Sequence, residues 1–198
     1  MRALTICQPW AHAIAWLGKC VENRTWGTAY RGPLLIHAGL ARHWLTSSAC
    51  LEVQLAAGIT APERAREWPS DPWKAGRMCA FGAIVAVADL ADVVHQSAGL
   101  SSKTIAAWKA SGAIAWFSGP YGLALRQVRP LHRPVAASGA QGLWVPSDDL
   151  VARVMDELEG GGESSKLKAQ SSKQVELTTE STERVGGGGL FGSRGRML

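Results

Sequence analysis

Between Gly82 and Val94 the chain runs Gly82-Ala83-Ile84-Val85-Ala86-Val87-Ala88-Asp89-Leu90-Ala91-Asp92-Val93-Val94, small, apolar and β-branched almost throughout. A run of that length and composition, beginning near Met78, predicts one long or bent central strand, to be covered by the remaining elements. Asp89 and Asp92 interrupt it and are expected to be turn residues at a fraying strand end. They also break the most apolar stretch well short of a membrane-spanning helix.

The polar chemistry gathers elsewhere, at Lys19-Cys20-Val21-Glu22-Asn23-Arg24-Thr25-Trp26. Ala3 to Cys7 reads as a short strand. Pro9 fits the first turn of a helix reaching about Leu17, with Ala11, Ile14, Ala15 and Leu17 as its apolar stripe and Gly18 as a left-handed stop. Read as a strand, residues 21 to 26 turn Glu22, Arg24 and Trp26 to one face and Val21, Asn23 and Thr25 to the other. Lys19 stands at the mouth of that face. One acceptor, two kinds of cationic donor and a flat indole suit a nucleobase or nucleotide better than an apolar ligand. The plainer alternative is an exposed Glu22–Arg24 ion pair on a solvated strand, contributing about 0–1 kcal/mol, with Trp26 in the core.

Several separated motifs now fall in order: Gln8-Pro9-Trp10, the Lys19 to Trp26 run, Tyr30-Arg31-Gly32-Pro33 through Ala38, the Gly82 to Leu90 strand, Gly119-Pro120-Tyr121-Gly122 and Gly142-Leu143-Trp144. Over roughly residues 3 to 146 the chain resembles the ASCH domain family. The resemblance implies an α+β, mainly β fold: a PUA-like small β-barrel with flanking helices, a cleft beside the first helix, and association with RNA or modified nucleosides. The family's Gly-x-Lys-x-x-Glu-x-Arg signature transfers at Lys19, Glu22 and Arg24. Its glycine does not, because position 17 is Leu and Gly18 directly precedes the lysine.

The function expected from these residues is RNA or modified-nucleoside binding. Lys19 and Arg24 would hold phosphate or a carbonyl, Glu22 would accept from an exocyclic amine, Trp26 or Trp10 would stack, and Gln8, Arg31 and Tyr121 would complete the ligand-binding set. An alternative is a hydrolase, amidohydrolase-like on a modified nucleoside or ribonuclease-like on RNA, with Lys19 and Glu22 catalytic. In amidohydrolase-like relatives a threonine nucleophile lies three residues after the lysine. Here that residue is Glu22, and Thr25 faces away. A third possibility is a protein-interaction adaptor. No cofactor is expected, and the oligomeric state is left open.

The 198 residues allow a domain over 1–158 and a Gly/Ser/Lys/Glu-rich tail over 159–198, whose composition predicts disorder. Formal charge is +5, and Val93 to Ser147 contains no acid while carrying Lys103, Lys109, Arg126, Arg129 and Arg133. That asymmetry predicts a positive face able to attract phosphate. Cys7, Cys20, Cys50 and Cys79 are scattered without zinc spacing, so no metal site and a reducing, cytoplasmic setting are expected. Further expectations are helices over Ala41–Ala57 and from Pro62 to near Trp68, a loop from Pro69 to Arg77, and a weak helix over Ser97–Gly112. Leu123 to Leu131 reads as a strand with one irregularity, Gly139 to Pro146 as the last strand, and Ser147 as the cap of a closing helix with Leu150, Val151, Val154 and Leu158 on its apolar face. His37, inside an apolar strand, is expected to be a hydrogen-bonded core residue.

Overall fold

The computed structural model describes residues 1–61 and 64–160. The long apolar run is the middle of the molecule. It forms β4 (Ala83–His95), flanked on one side by β5 (Tyr121–Ala136) and on the other by β3 (Gly32–Ala38). β1 (Arg2–Ile6), β2 (Val21–Arg24) and β6 (Leu143–Trp144) complete a six-stranded sheet in the order β2-β5-β4-β3-β1-β6. β1 and β3 are parallel, and the other neighbours are antiparallel. The fold is α+β and mainly β, as the sequence predicts.

Curvature comes from broken register. The β4–β5 ladder shifts between Ile84 and Ala86, between Val87 and Asp89, and between Leu90 and Asp92. Gln127 adopts a positive φ of 49° on β5. Each irregularity bends and further twists the strand pair, which curls the sheet into a half-barrel. One irregularity was expected here. The additional ones follow from pairing two strands of 13 and 16 residues, too long to stay flat while both wrap one core.

Both faces are covered. Leu4, Ile6, Leu34, Ile36 and Leu90 pack with Ile14 of helix α1 (Trp10–Trp16). The opposite parity, Ala3, Leu35, Ile84 and Val87, packs with Leu150 and Val154 of a closing helix, α5, which begins at residue 148. Ser147 caps that helix by accepting from the Leu150 N–H at 3.2 Å. A third cluster joins Val21, Val53, Trp68, Trp108 and Trp116, so several of the tryptophans are core.

The connections depart from expectation. α2 spans Ser47–Ala56, starting at Ser47 because Thr46 caps it through the Ala49 N–H at 3.2 Å; residues 41–45 lie outside it. The expected loop from Pro69 to Arg77 contains a helix, α3 (Pro72–Met78), with Asp71 as cap and Pro72 in the first turn, where a missing N–H costs no hydrogen bond. The expected helix start at Pro62-Glu63 lies outside the described residues, and residues 65–67 form a turn. The Ser97–Gly112 segment divides into a 3₁₀ helix (Gln96–Ser101) and α4 (Lys103–Ser111), which Gly112 ends at φ 76°. β4 starts at Ala83, five residues later than predicted from Met78, and the last strand is only Leu143–Trp144. Asp92 is no turn residue. It sits within β4 and accepts from Thr104 Oγ1 of α4 at 2.5 Å and from Arg31 at 3.4 Å. His37 is 2% exposed, with Nε2 3.0 Å from the Ala137 carbonyl.

Met1–Leu158 forms one compact unit. The segment from 161 to 198, where the disordered tail was expected, lies outside the described residues. Among the described residues no helix is long and apolar enough to cross a membrane.

Gly122 on β5 lies under the rings of Phe117 and Trp108, where an added Cβ would fall 2.8–2.9 Å from their carbons. Gly122→Ala is expected to destabilise the domain by about 1–3 kcal/mol through overpacking. Urea unfolding measures it, and an unchanged midpoint would show that the rings can yield.

Candidate ligand pocket

α1 crosses from β1 to β2, strands that lie far apart in the sheet, and packs on β3, β4 and β5 on the way. Its small residues Ala11, Ala13 and Ala15 allow that close approach. Gly18, at φ 74°, reverses the chain, and the Lys19 N–H donates back to the Ala13 carbonyl at 3.1 Å. This turn aims Lys19 inward.

Lys19 is 2% exposed and Glu22 is 6% exposed. The Lys19 ammonium donates to the Val21 carbonyl and to Glu22 Oε2, the latter at 3.1 Å. Arg24 Nη2 lies 3.2 Å from the other carboxylate oxygen, Glu22 Oε1, and donates to the Thr5 carbonyl at 2.7 Å. The cluster is therefore a buried carboxylate held between a buried ammonium and a half-buried guanidinium. The solvated-strand alternative is corrected: Glu22 is buried between Lys19 and Arg24, and Arg24 is tied to the Thr5 carbonyl of β1.

A cavity of about 340 Å³ opens over this cluster. Its floor is Lys19, Glu22 and Arg24, with Cys7 and Ile6 from the end of β1 beside them. Trp10 and Trp44 form an aromatic wall, their rings 6.4 Å apart in an edge-to-face arrangement. Glu52 of α2 and Ser118 with Asn23 close the rim. Asn23 fixes that rim by accepting from the Ser118 and Gly119 N–H groups at 3.1 and 3.2 Å and donating to the Trp116 carbonyl at 2.9 Å. Burial pushes the Cys7 thiol above its ordinary value, an effect that Arg24 opposes and Glu22 reinforces. Among the described residues, no group of three His, Cys, Asp or Glu side chains converges as a metal site would require.

Other residues predicted for the site are elsewhere. Gln8 is fully buried and spends its amide inside the protein, donating to the Ala80 carbonyl at 2.7 Å and accepting from the His12 N–H at 3.0 Å. It ties the start of α1 to the Ala80 backbone. Arg31 is paired with Asp92 at 3.4 Å and also donates to the Thr28 and Tyr30 carbonyls. Tyr121 packs on His95, with ring centroids 4.7 Å apart, and against Gly27. Trp26 does not line this cavity, because β2 ends at Arg24 and strict alternation ends with it. Its ring lies 5.8 Å from the Arg24 guanidinium and borders a second cavity.

The acid-free segment contributes no cation to the pocket. Lys103 and Arg126 border a separate hollow near Cys20, and Arg133 faces Glu157 at 3.9 Å. Sequence reasoning missed Cys7, Trp44, Glu52 and Ser118, and it placed Asn23 on the opposite face although it borders the same cavity as Glu22 and Arg24. Trp44 was absorbed into an expected helix, and an aromatic beside His43, just ahead of the Thr46 cap, was the available signal.

Fold and site together define a small mixed-sheet α+β domain with a charged, tryptophan-walled pocket beside its first helix. No family model and no curated protein sequence matches the chain. Among solved structures it is similar to the crystal structure of ASCH from Zymomonas mobilis, at 14% identity, with 78% of this chain and 93% of that one covered and a TM-score of 0.41. It is also similar to a tyrosine-to-phenylalanine mutant of that Zymomonas mobilis protein, at 13% identity over 78% and 96% of the two chains, with a TM-score of 0.39. What the pocket binds has to follow from its own residues.

Proposed function

We propose that the domain binds a nucleobase, as a modified nucleoside or as a base within RNA, in the cavity over Lys19, Glu22 and Arg24. The observation that carries this reading is the pairing of a buried, hydrogen-bonding charge cluster with two indole rings in one cavity. A cavity of a few hundred Å³ with few convergent polar groups suits a small ligand. Its ionisable lining residues include two cations, Lys19 and Arg24, and two carboxylates, Glu22 and Glu52, which leave it formally neutral. A neutral polar ring therefore fits better than a free polyphosphate. Arg24 and Lys19 supply donors, the Glu22 oxygens retain acceptor capacity beyond their two ion pairs, and Trp10 or Trp44 stacks on the ring.

The geometry favours binding over hydrolysis. Lys19 is already engaged by Glu22 and the Val21 carbonyl. Thr25 lies exposed beyond the end of β2, and Tyr121 is outside the cavity, so neither stands ready as a nucleophile or proton carrier.

Calorimetric titration with ordinary, methylated and acylated nucleosides and with short RNAs tests the proposal. At least one should bind saturably. Trp44→Ala, at a position 50% exposed and so tolerable to the fold, should weaken that binding by about tenfold, since stacking of one base on an aromatic contributes ~1–3 kcal/mol. A panel that fails to bind, or binding indifferent to both Trp44→Ala and Trp10→Ala, would refute it.

A further inference from the structure

The second cavity, about 590 Å³, lies on the other side of Arg24. Arg24 lines both cavities. The two differ in character. The lining of the first holds two cations and two carboxylates, whereas among the described residues the second is lined by a single charged side chain, the shared Arg24, which is paired with Glu22. Trp26 provides an aromatic wall there, half-buried and stacked near the guanidinium. Thr5, His37 and Gln141 add polar groups.

His37 is notable for what it lacks. It is 2% exposed, its Nε2 is paired with the Ala137 carbonyl, and its Nδ1 is buried without a partner. Gly139 is packed so tightly against the imidazole that any side chain there would collide with it. The loop from Gly139 to Gly142 is held in place by Thr5, which donates to the Ala140 carbonyl at 2.8 Å. This is a shaped wall with an unsatisfied polar atom, formed before any ligand arrives.

We infer that the second cavity receives the nucleotide adjacent to the one held over Lys19 and Glu22, so that the ligand is a strand of at least two nucleotides crossing Arg24. This rests on the reading of the first cavity as a base pocket. Each cavity offers an aromatic wall for one ring. Lys19 and Arg24 share the single Glu22 carboxylate, and the net positive charge of that trio, with Arg24 at the boundary of the two cavities, matches the single negative charge of the phosphodiester that joins two nucleosides. A base pocket with that trio on its floor, beside a second cavity whose lining adds no carboxylate, fits a base followed by a phosphodiester.

The test compares the full-length protein's affinity for single nucleosides with its affinity for dinucleoside monophosphates containing the same base, at two salt concentrations. The best dinucleoside monophosphate should bind about tenfold or more tightly than its parent nucleoside. Its affinity should fall with salt at a logarithmic slope of about −0.7, that of one phosphate contact on a single strand, while the nucleoside's should not. Gln141→Trp, at an exposed rim position of the second cavity, should remove the gain and leave nucleoside binding unchanged. Equal affinity for nucleoside and dinucleoside, or a gain that survives Gln141→Trp, overturns the inference while leaving the base pocket standing. Failure of every nucleoside to bind removes both.

Discussion

Replacing Glu22 with Ala is expected to lower the melting temperature by roughly 6–20 °C and to abolish ligand binding. The carboxylate lies between Lys19 and Arg24, and the Lys19 side chain is almost completely buried. Removing it leaves an ammonium in the interior with only the Val21 carbonyl for company. Breaking a buried pair by deleting one partner costs ~3–5 kcal/mol, and each kcal/mol moves the midpoint of a domain this size by about 2–4 °C. The contrast with an exposed pair, at ~0–1 kcal/mol, is large enough to decide by calorimetry. The double change Lys19→Met with Glu22→Gln removes the orphaned charge as well, and should recover most of the stability without recovering ligand binding. A single variant that melts within about 2 °C of the parent protein would show that water reaches Lys19 and that the cluster is not interior.

Acid should destabilise the domain through His12, by about 2 kcal/mol between pH 7 and pH 5. The imidazole is 6% exposed and lies between Trp16 and Trp68, with ring centroids 4.8 and 4.9 Å away. Its Nδ1 is buried without a partner. Burial lowers its pKa to about 4, only partly opposed by a hydrogen bond to the Met78 backbone. The folded state therefore keeps His12 neutral while the unfolded chain binds a proton near pH 6.5. Stability is fully present above pH 6.5, falls as pH drops from there to about 4, and levels off below that value. His37 is shifted in the same direction by burial, so it titrates in both the parent protein and a His12→Phe variant. The difference between their urea-derived stabilities at the two pH values isolates His12. Identical pH slopes for the two proteins would assign the acid sensitivity elsewhere.

While the mainly β class came from the resemblance to the ASCH family, the central strand, the reversal at Gly18 and the closing helix capped by Ser147 were legible in the sequence. Each rests on local physics: a run of β-branched residues, a glycine able to take positive φ, a hydroxyl one turn before an apolar stripe. It also determined that Lys19, Glu22 and Arg24 belong together, because helix end and strand parity are short-range properties. That Lys19 and Glu22 are buried could not be read locally, since it depends on contacts distant in sequence such as that between Arg24 and the Thr5 carbonyl of β1. Parity likewise does not reveal where a strand stops. Ending β2 at Arg24 moved Trp26 out of the first cavity and into the second. Trp44, distant in sequence from the signature, reached the pocket because Thr46 caps α2 and leaves the preceding residues free to fold over Trp10. A residue's face can be read from its neighbours in the chain, but whether that face meets water or protein is set by elements tens of residues away.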